Sequence, residues 1–407
     1  MATVVLIGTM DTKGEEYAWL ADRVRAHGAD AVTVDVGAFS HADADVGAAE
    51  VAIAGGADLS ALREANDRGA AMEAMASGAA AVVLALHAED RLDAVLAVGG
   101  SGGSSVAARA MRALPVGVPK LLVSTMAAGD VSPYVGESDV TLMYSVVDVA
   151  GINSVSEQVF GNAAAAAAAM AAEQENRRGA PAGESRPLVG LSMFGLTTPA
   201  VDEARAELVR LGYEPLVFHA TGAGGRALEK LAGDGRLAGV LDLTTTELAD
   251  DLVGGVLSAG PHRLEAAGER GIPQVVSTGA VDMVNFGPRE TVPAGFGDRT
   301  FVVHNPTVTL MRTTPEENAE LGRRIGTKLS GARGPVTVLL PLRGVSGIDK
   351  DGGPFRDTAA DDALFSSLRG AADGSPVEVV EVDAHINDPG FGRDAAQRLH
   401  RMIAATG

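Results

Sequence analysis

D-A-V-L-A-V-G-G-S-G-G-S-S-V-A-A-R-A-M-R-A-L-P-V-G-V-P-K-L-L-V-S-T-M-A-A-G-D, residues 93–130, decides the fold. Residues 94–98 are a short, wholly apolar, partly β-branched run, as in a strand buried on both faces. Four glycines fall in the five residues 99–103. Residues 104–112 read as a helix closed by Pro115. Residues 120–124 read as a second buried strand, ending in the polar turn Ser124-Thr125-Met126-Ala127-Ala128-Gly129-Asp130. Strand, glycine-rich turn, helix and parallel strand make one βαβ unit. Bare glycines let a ligand approach the main chain. The turn also delivers a helix N-terminus, whose free N–H groups and dipole favour an anion. It reads as a phosphate cradle. A turn that merely packs the helix on the sheet has the same composition.

Working outward, the chain has 407 residues, of which 46% are hydrophobic and only 4% aromatic, so its large core is Ala, Val and Leu. Fifty-three acidic against 33 basic residues give a net charge of −20. Such a surface repels nucleic-acid phosphates and anionic lipid, so neither is expected as a partner. With no cysteine, disulfides and thiolate metal sites are impossible. No charged segment followed by an apolar run opens the chain, and the alanine run at 163–172 is too weakly hydrophobic to span a bilayer. A cytoplasmic location is expected.

The first half reads as a strand at 3–8, a turn at 9–14, a helix at 15–27 and a strand at 31–36. A small helical piece at 48–54 and helices at 62–76 and 79–87 follow. After the βαβ unit come a strand at 141–147 and a helix from Ser154 to about residue 175. The run N-R-R-G-A-P-A-G-E-S-R-P, 176–187, has no apolar period and reads as a linker. The domains are therefore expected at 1–176 and 188–407, joined by 177–187. The second half opens on the same layout: strand 188–194, turn 195–199, helix 200–211, strand 214–219. Further helices are expected at 227–232, 263–270, 315–329, 360–369 and 391–404. Further strands are expected at 239–243, 273–277, 336–340 and 377–382, with residues 282–286 and 293–301 irregular. The fold class is α/β, with two Rossmann-like parallel-sheet domains expected to face each other across a cleft.

Polar residues gather just after the strands, at the edge where open α/β folds bind ligands. Thr9, Asp11, Thr12 and Lys13 follow the first. Lys13 offsets phosphate charge in this reading, and Asp11 holds Mg²⁺ through water. Asp130 has an equal claim. Asp11, Lys13 and Asp130 are thus the catalytic candidates. Lys13 also reads as a solvated first-turn lysine, and Asp130 as an Asp that bonds its own turn. Gly100, Ser101, Gly102, Gly103, Ser104, Ser124 and Thr125, with Thr9, complete the cofactor-binding set. In the second half, Thr221, Gly224, Gly225 and Arg226 mark another glycine-rich helix start, suited to a second anion. Thr245 and Glu247 offer a hydroxyl and a carboxylate, or helix-cap chemistry. His304, Asn305 and Arg343, also at strand ends, complete the substrate-binding candidates, and His385 ends another strand. No P-loop, H-E-x-x-H, G-x-S-x-G or clean G-x-G-x-x-G signature is present.

Several segments occur together in order: G-T-M-D-T-K-G-E-E at 8–16, V-G-G-S-G-G-S at 98–104, V-S-T-M-A-A-G-D at 123–130 and S-V-V-D-V-A-G-I-N at 145–153. F-G-L-T-T-P at 194–199, T-G-A-G-G-R-A-L-E at 221–229, D-L-T-T-T-E at 242–247 and H-N-P-T-V-T-L-M-R-T at 304–313 follow. This ordered set resembles the bacterial family similar to the N-terminal domain of the tomato mosaic virus resistance protein. The resemblance implies an ATP-binding homodimer of two Rossmann-like subdomains, with nucleotide on the N-terminal one. It implies phosphate contacts at Gly102, Gly103 and Ser104, and nearby contacts at Thr9, Asp11, Lys13, Thr125 and Asp130. In the plant protein this domain blocks a viral replication protein, a role that does not transfer by resemblance.

Three functions are compatible with these residues. The first is an ATP- and Mg²⁺-dependent enzyme, of phosphotransferase or ligase type, on a small metabolite in the cleft; phosphoryl transfer needs mainly positioning and charge. The second is a non-catalytic module whose nucleotide occupancy controls a protein partner. The third is a nicotinamide-dependent oxidoreductase, suggested by the layout of the glycine turn.

Overall fold

The computed structural model describes residues 1–179 and 186–406. Residues 180–185 of the expected linker lie outside the described residues. The chain divides into two compact units, Met1–Gly183 and Glu184–Gly407.

The first unit runs β1 (Thr3–Gly8), α1 (Met10–Ala26), β2 (Asp30–Asp35), α2 (Ala48–Ala54), α3 (Leu59–Ala65), α4 (Arg68–Ala88), β3 (Ala94–Gly99), α5 (Ser101–Ala113), β4 (Lys120–Ser124), α6 (Ser132–Val135), β5 (Thr141–Tyr144) and α7 (Ser154–Gly179). Its strands are all parallel, in the order β2-β1-β3-β4-β5. The apolar runs follow from two-sided burial. Val5, Ile7, Val95, Ala97 and Leu122 face α2, α4 and α5 in one core. Val4, Leu6, Leu96 and Val123 pack on Tyr17, Leu20 and Val24 of α1 and on Phe160, Ala163 and Ala167 of α7 in the other.

Three departures from the sequence reading have local causes. First, α1 starts at Met10, not at residue 15, because Asp35 at the end of β2 accepts the Met10 amide at 3.1 Å. A cap supplied by another strand leaves no local signal. The helix kinks at Lys13, whose φ and ψ are −132° and 20°. Second, α4 is one helix where two are expected. Gly78 does not break it; a Cβ there would stand 1.8 Å from the Val51 carbonyl, so the glycine lets α2 lie close. By length and composition alone α4 is apolar enough to cross a membrane. Its Met75, Ala79, Val83 and Leu86 are buried in the first core. Third, α7 runs on to Gly179, into the expected linker.

The second unit runs β6 (Leu188–Met193), α8 (Thr198–Arg210), β7 (Glu214–His219), α9 (Ala223–Gly233), β8 (Gly239–Thr244), α10 (Glu247–Val253), α11 (Ala266–Arg270), β9 (Gln274–Gly279), β10 (Met283–Phe286), β11 (Phe301–Asn305), β12 (Val308–Arg312), α12 (Pro315–Ser330), β13 (Val336–Pro341), α13 (Thr358–Ala372), β14 (Glu378–Val382) and α14 (Phe391–Thr406). Six strands form a parallel sheet, β14-β13-β9-β8-β6-β7. The region expected to be irregular instead contributes to a small antiparallel sheet, β10-β12-β11. Its strands are four or five residues long, and the buried Asn285 and Thr309 interrupt their apolar pattern.

Counted within each unit, both parallel sheets begin in the order second, first, third, fourth, fifth. This is the flavodoxin-like variant of the doubly wound fold. The connections reverse between the first and third strands, which opens a crevice at their carboxyl ends.

Candidate functional site

In the first unit that crevice is a cavity of about 560 Å³. The β1 end contributes Thr9, Asp11, Thr12 and Lys13; the β3 end contributes Gly99, Gly100, Ser101, Gly102 and Gly103. Tyr17 holds the two strands at this point. Its hydroxyl accepts the Val98 amide at 2.9 Å and is shared between the carbonyls of Ile7 and Val98. Burial pushes the phenol's pKa up, so it stays a neutral O–H. Gly8 is bare because the Tyr17 ring occupies the place of a Cβ.

The glycines beside the cavity are different. Gly100 caps α5 with φ −81° and ψ −163°, open to any residue, and no side chain caps that helix end. A Cβ on Gly100 would meet nothing nearer than Thr125 Oγ1 at 3.8 Å. On Gly102 it would meet Met72 Cε at 3.6 Å and Arg68 Nη2 at 3.8 Å; on Gly103 it would meet nothing within 4 Å. Neither packing nor backbone conformation requires these three glycines. They leave the first turn of α5 bare toward the cavity.

Two cations line the wall. Lys13 donates its ammonium to the Val149 carbonyl, so its direction is fixed by the loop after β5. Arg68, the first residue of α4, makes no hydrogen bond or ion pair with another described residue, although acids outnumber bases in the chain. Its charge also opposes the positive end of its own helix dipole. Asp11 is the one carboxylate among the lining residues. It lies against Gly37, where a Cβ would be 2.8 Å from Asp11 Cγ. Among the described residues no group of three or more His, Asp or Glu is placed to hold a metal. The remaining wall is apolar, with Val36, Ala38, Phe39, Ala71, Met72, Met75 and Val106, except for the amide side chain of Asn66.

The other expected cofactor contacts lie outside this wall. Ser104 and Ser124 are buried and bond each other at 2.6 Å, beneath the helix start. Thr125 donates its amide to Gly99. Asp130 is engaged in its own turn, accepting the amide and hydroxyl of Ser132, which hold its pKa below the usual range.

The second-unit candidates do not converge on one place. The start of α9 is closed by the chain itself. Glu247 Oε1 accepts the amides of Gly222 at 2.7 Å and Gly225 at 3.0 Å, while Oε2 accepts Arg263 Nε at 2.7 Å. Gly225 and Gly224 are required by contact: a Cβ would stand 2.0 Å from Glu247 Oε2 and 1.9 Å from the His219 carbonyl, respectively. Arg226 donates to the Ser258 carbonyl, Thr221 to the His219 carbonyl and Thr245 to the Ser277 carbonyl. His304 and Asn305 end an exposed strand, where Asn305 bonds the Thr307 turn. Arg343 makes a two-pronged pair with Asp383 and lines a separate cavity of about 580 Å³ with His385 and Asn387. His385 is occupied by the Ser346 carbonyl and the Asn387 amide.

Sequence reasoning missed Arg68, Phe39 and Met72. They lie in the excursion after β2 and at the start of α4, and only the fold carries them to the glycine turn.

The protein is thus of the two-unit doubly wound α/β class, with an open glycine-lined crevice at one switch point. The chain belongs to the uncharacterised protein family UPF0261. The family's N-terminal domain matches residues 2–176 and its C-terminal domain residues 186–403. A UPF0261 protein of Clostridium tetani is 48% identical over 98% of this chain and 98% of its own length. One from Rhizobium meliloti is 47% identical over 99% and 100%. The ToMV resistance protein Tm-1(GCR237) of Solanum lycopersicum is 43% identical over 80% of this chain, a match that spans 44% of the tomato protein.

Proposed function

We propose that the protein binds ATP in the first-unit crevice, with the phosphate tail on the main-chain amides of Ser101, Gly102 and Gly103. The observation that carries this is the set of three glycines which the fold does not need. Helix propensity disfavours glycine at 102 and 103, inside α5, so their bareness is explained by something outside the chain coming close to the backbone. The helix dipole and Arg68 make that something an anion. Thr9, Asp11 and Lys13 line the same cavity from the β1 side, and Asp11 is the carboxylate that would hold a water of phosphate-bound Mg²⁺. The apolar wall suits a base. The nucleotide serves either a reaction on a small metabolite or a sensing role. We place the protein in the cytoplasm as a homodimer, the dimer following from the family resemblance.

Isothermal titration of the full chain with ATP and Mg²⁺ tests the reading. Saturable binding at one site per chain supports it; no heat and no thermal stabilisation at millimolar ATP overturns it. Turnover with candidate acids, against retention of intact ATP through gel filtration, separates enzyme from sensor.

A further inference from the structure

The cavity is lined by the ends of β2 and β3, which flank β1 in the sheet and differ in chemistry. This inference rests on the nucleotide reading above. At one end, Arg68 Nη2 and Met72 Cε reach to within 4 Å of the space beside Gly102. At the other, the loop after β2 carries Phe39, a large apolar residue that is 46% exposed. That loop is pinned. Asp35 accepts the Gly37 amide at 2.9 Å, and Arg63 donates to the carbonyls of Ala38 at 2.8 Å and Ser40. An exposed aromatic on a braced loop, lining a cavity, is a prepared stacking face; stacking of a base on such a ring is effective and tolerates different bases. Val36, Ala38 and Ala71 extend the same apolar wall. The carbonyls of Ala38 and Ser40 already serve Arg63, so this loop offers few free groups to read a base edge.

We infer that the nucleotide lies with its base on Phe39 and its terminal phosphates against Gly102 and Arg68. Phe39 then sets affinity for the base, and Arg68 sets affinity for the length of the phosphate chain. Base selection is weak if stacking dominates, Asn66 being the one side-chain amide in the lining able to read a base edge. Arg68 adds planar, two-pronged donors that suit a phosphate.

A crossed binding experiment tests this, with ATP, GTP, adenosine and inorganic tripolyphosphate titrated into wild type, Phe39→Ala and Arg68→Gln. Phe39→Ala is expected to weaken ATP and adenosine together by roughly ten- to a hundredfold and to leave tripolyphosphate unchanged. Arg68→Gln is expected to weaken ATP and tripolyphosphate together and leave adenosine unchanged. Wild type is expected to bind GTP within about tenfold of ATP. Both side chains are exposed, and circular dichroism melts that match wild type confirm folding. If Phe39→Ala binds ATP as wild type does, or loses tripolyphosphate equally, the orientation is wrong while ATP binding stands. If GTP is rejected by far more than tenfold, stacking is not what selects the base. If wild type binds none of the four, the nucleotide reading itself fails.

Discussion

Glu247 accepts the main-chain amide of Gly225 at 3.0 Å, so the glycine-rich start of α9 is filled by the chain's own carboxylate. The start of α5 has no such side chain. Each unit therefore has a glycine-rich helix start, the one at α9 closed from within and the one at α5 without a side-chain cap. This contrast supports the proposal that the open one receives an anion, because a carboxylate is what fills the closed one.

Removing the internal anion has a predictable cost. Arg263 is fully buried and bonds Glu247, Asp242 and Glu229. Glu247→Ala leaves two amides and one guanidinium edge unsatisfied. The expected loss is about 3–5 kcal/mol, as for other broken buried ion pairs. Acetate at tens of millimolar should restore part of it by entering the vacated space. Urea melts with and without acetate, chloride serving as the control salt, measure both effects. No loss on truncation would show that the carboxylate is not what holds the α9 start.

Glycine substitutions in α5 separate stability from binding. Gly102→Ala and Gly103→Ala have room for the new methyl and helical backbone to receive it. Each is expected to raise stability by about 0.5–1 kcal/mol. Each should also weaken ATP binding at least tenfold, because the methyl stands where the phosphate approaches. Gly99→Ala is the contrast, with its Cβ only 3.3 Å from Gly103 backbone atoms; it should destabilise. Thermal melts and titration on the three variants give the pattern. Destabilisation by the first two would show that the fold needs those glycines after all.

How much of this was legible follows from where each signal resides. Two-sided burial writes itself into consecutive apolar residues, so the runs at 94–98 and 120–124 gave their strands directly, and the βαβ order followed. Gly100 to Gly103 were legible because they follow the strand at 94–98, and Lys13 because it follows the strand at 3–8. Arg68 was not, since the sequence reads it inside a helix at 62–76, whereas α4 starts there and the fold sets it beside Gly102. The start of α1 depends on Asp35, a carboxylate from another strand. Glu247 read equally as a cap or a substrate group, and only its contact with Gly222 and Gly225 decides between them. The strands β10 and β12 stayed hidden because Asn285 and Thr309 are buried polar residues in very short runs.

Ligand class is decided by thermal shift. A ligand that binds only the folded chain stabilises it by about 2.7 kcal/mol at a hundredfold excess over its dissociation constant. ATP with Mg²⁺ should raise the melting temperature by several degrees, and NAD and NADP should not. A shift with the dinucleotides alone would replace ATP binding by nicotinamide chemistry.

The second unit should grow less stable as pH rises from 5 to 8. Asp250 is buried, and loss of hydration pushes its pKa up to about 7, against the downward pull of Asn285 and the Leu257 amide. Burial likewise raises Asp282, which lies with Asp349, Asp361 and Arg312. A carboxyl whose folded pKa exceeds its unfolded value binds more protons when folded. Its contribution is therefore full below about pH 4 and is lost as pH climbs through 7. Glu207 and Glu320, held at about 2 by Arg210 and by Arg323 with Arg324, titrate far below this window and do not oppose the trend. The loss is about 2 kcal/mol for Asp250 between pH 5.5 and 7. Asp250→Asn keeps the shape without the charge, so it should flatten the slope and stabilise the chain at pH 8 relative to wild type. Urea midpoints at pH 5.5, 7 and 8 for both proteins measure this. An unchanged slope in the variant would mean that Asp250 is ionised throughout, its amide donors outweighing its burial.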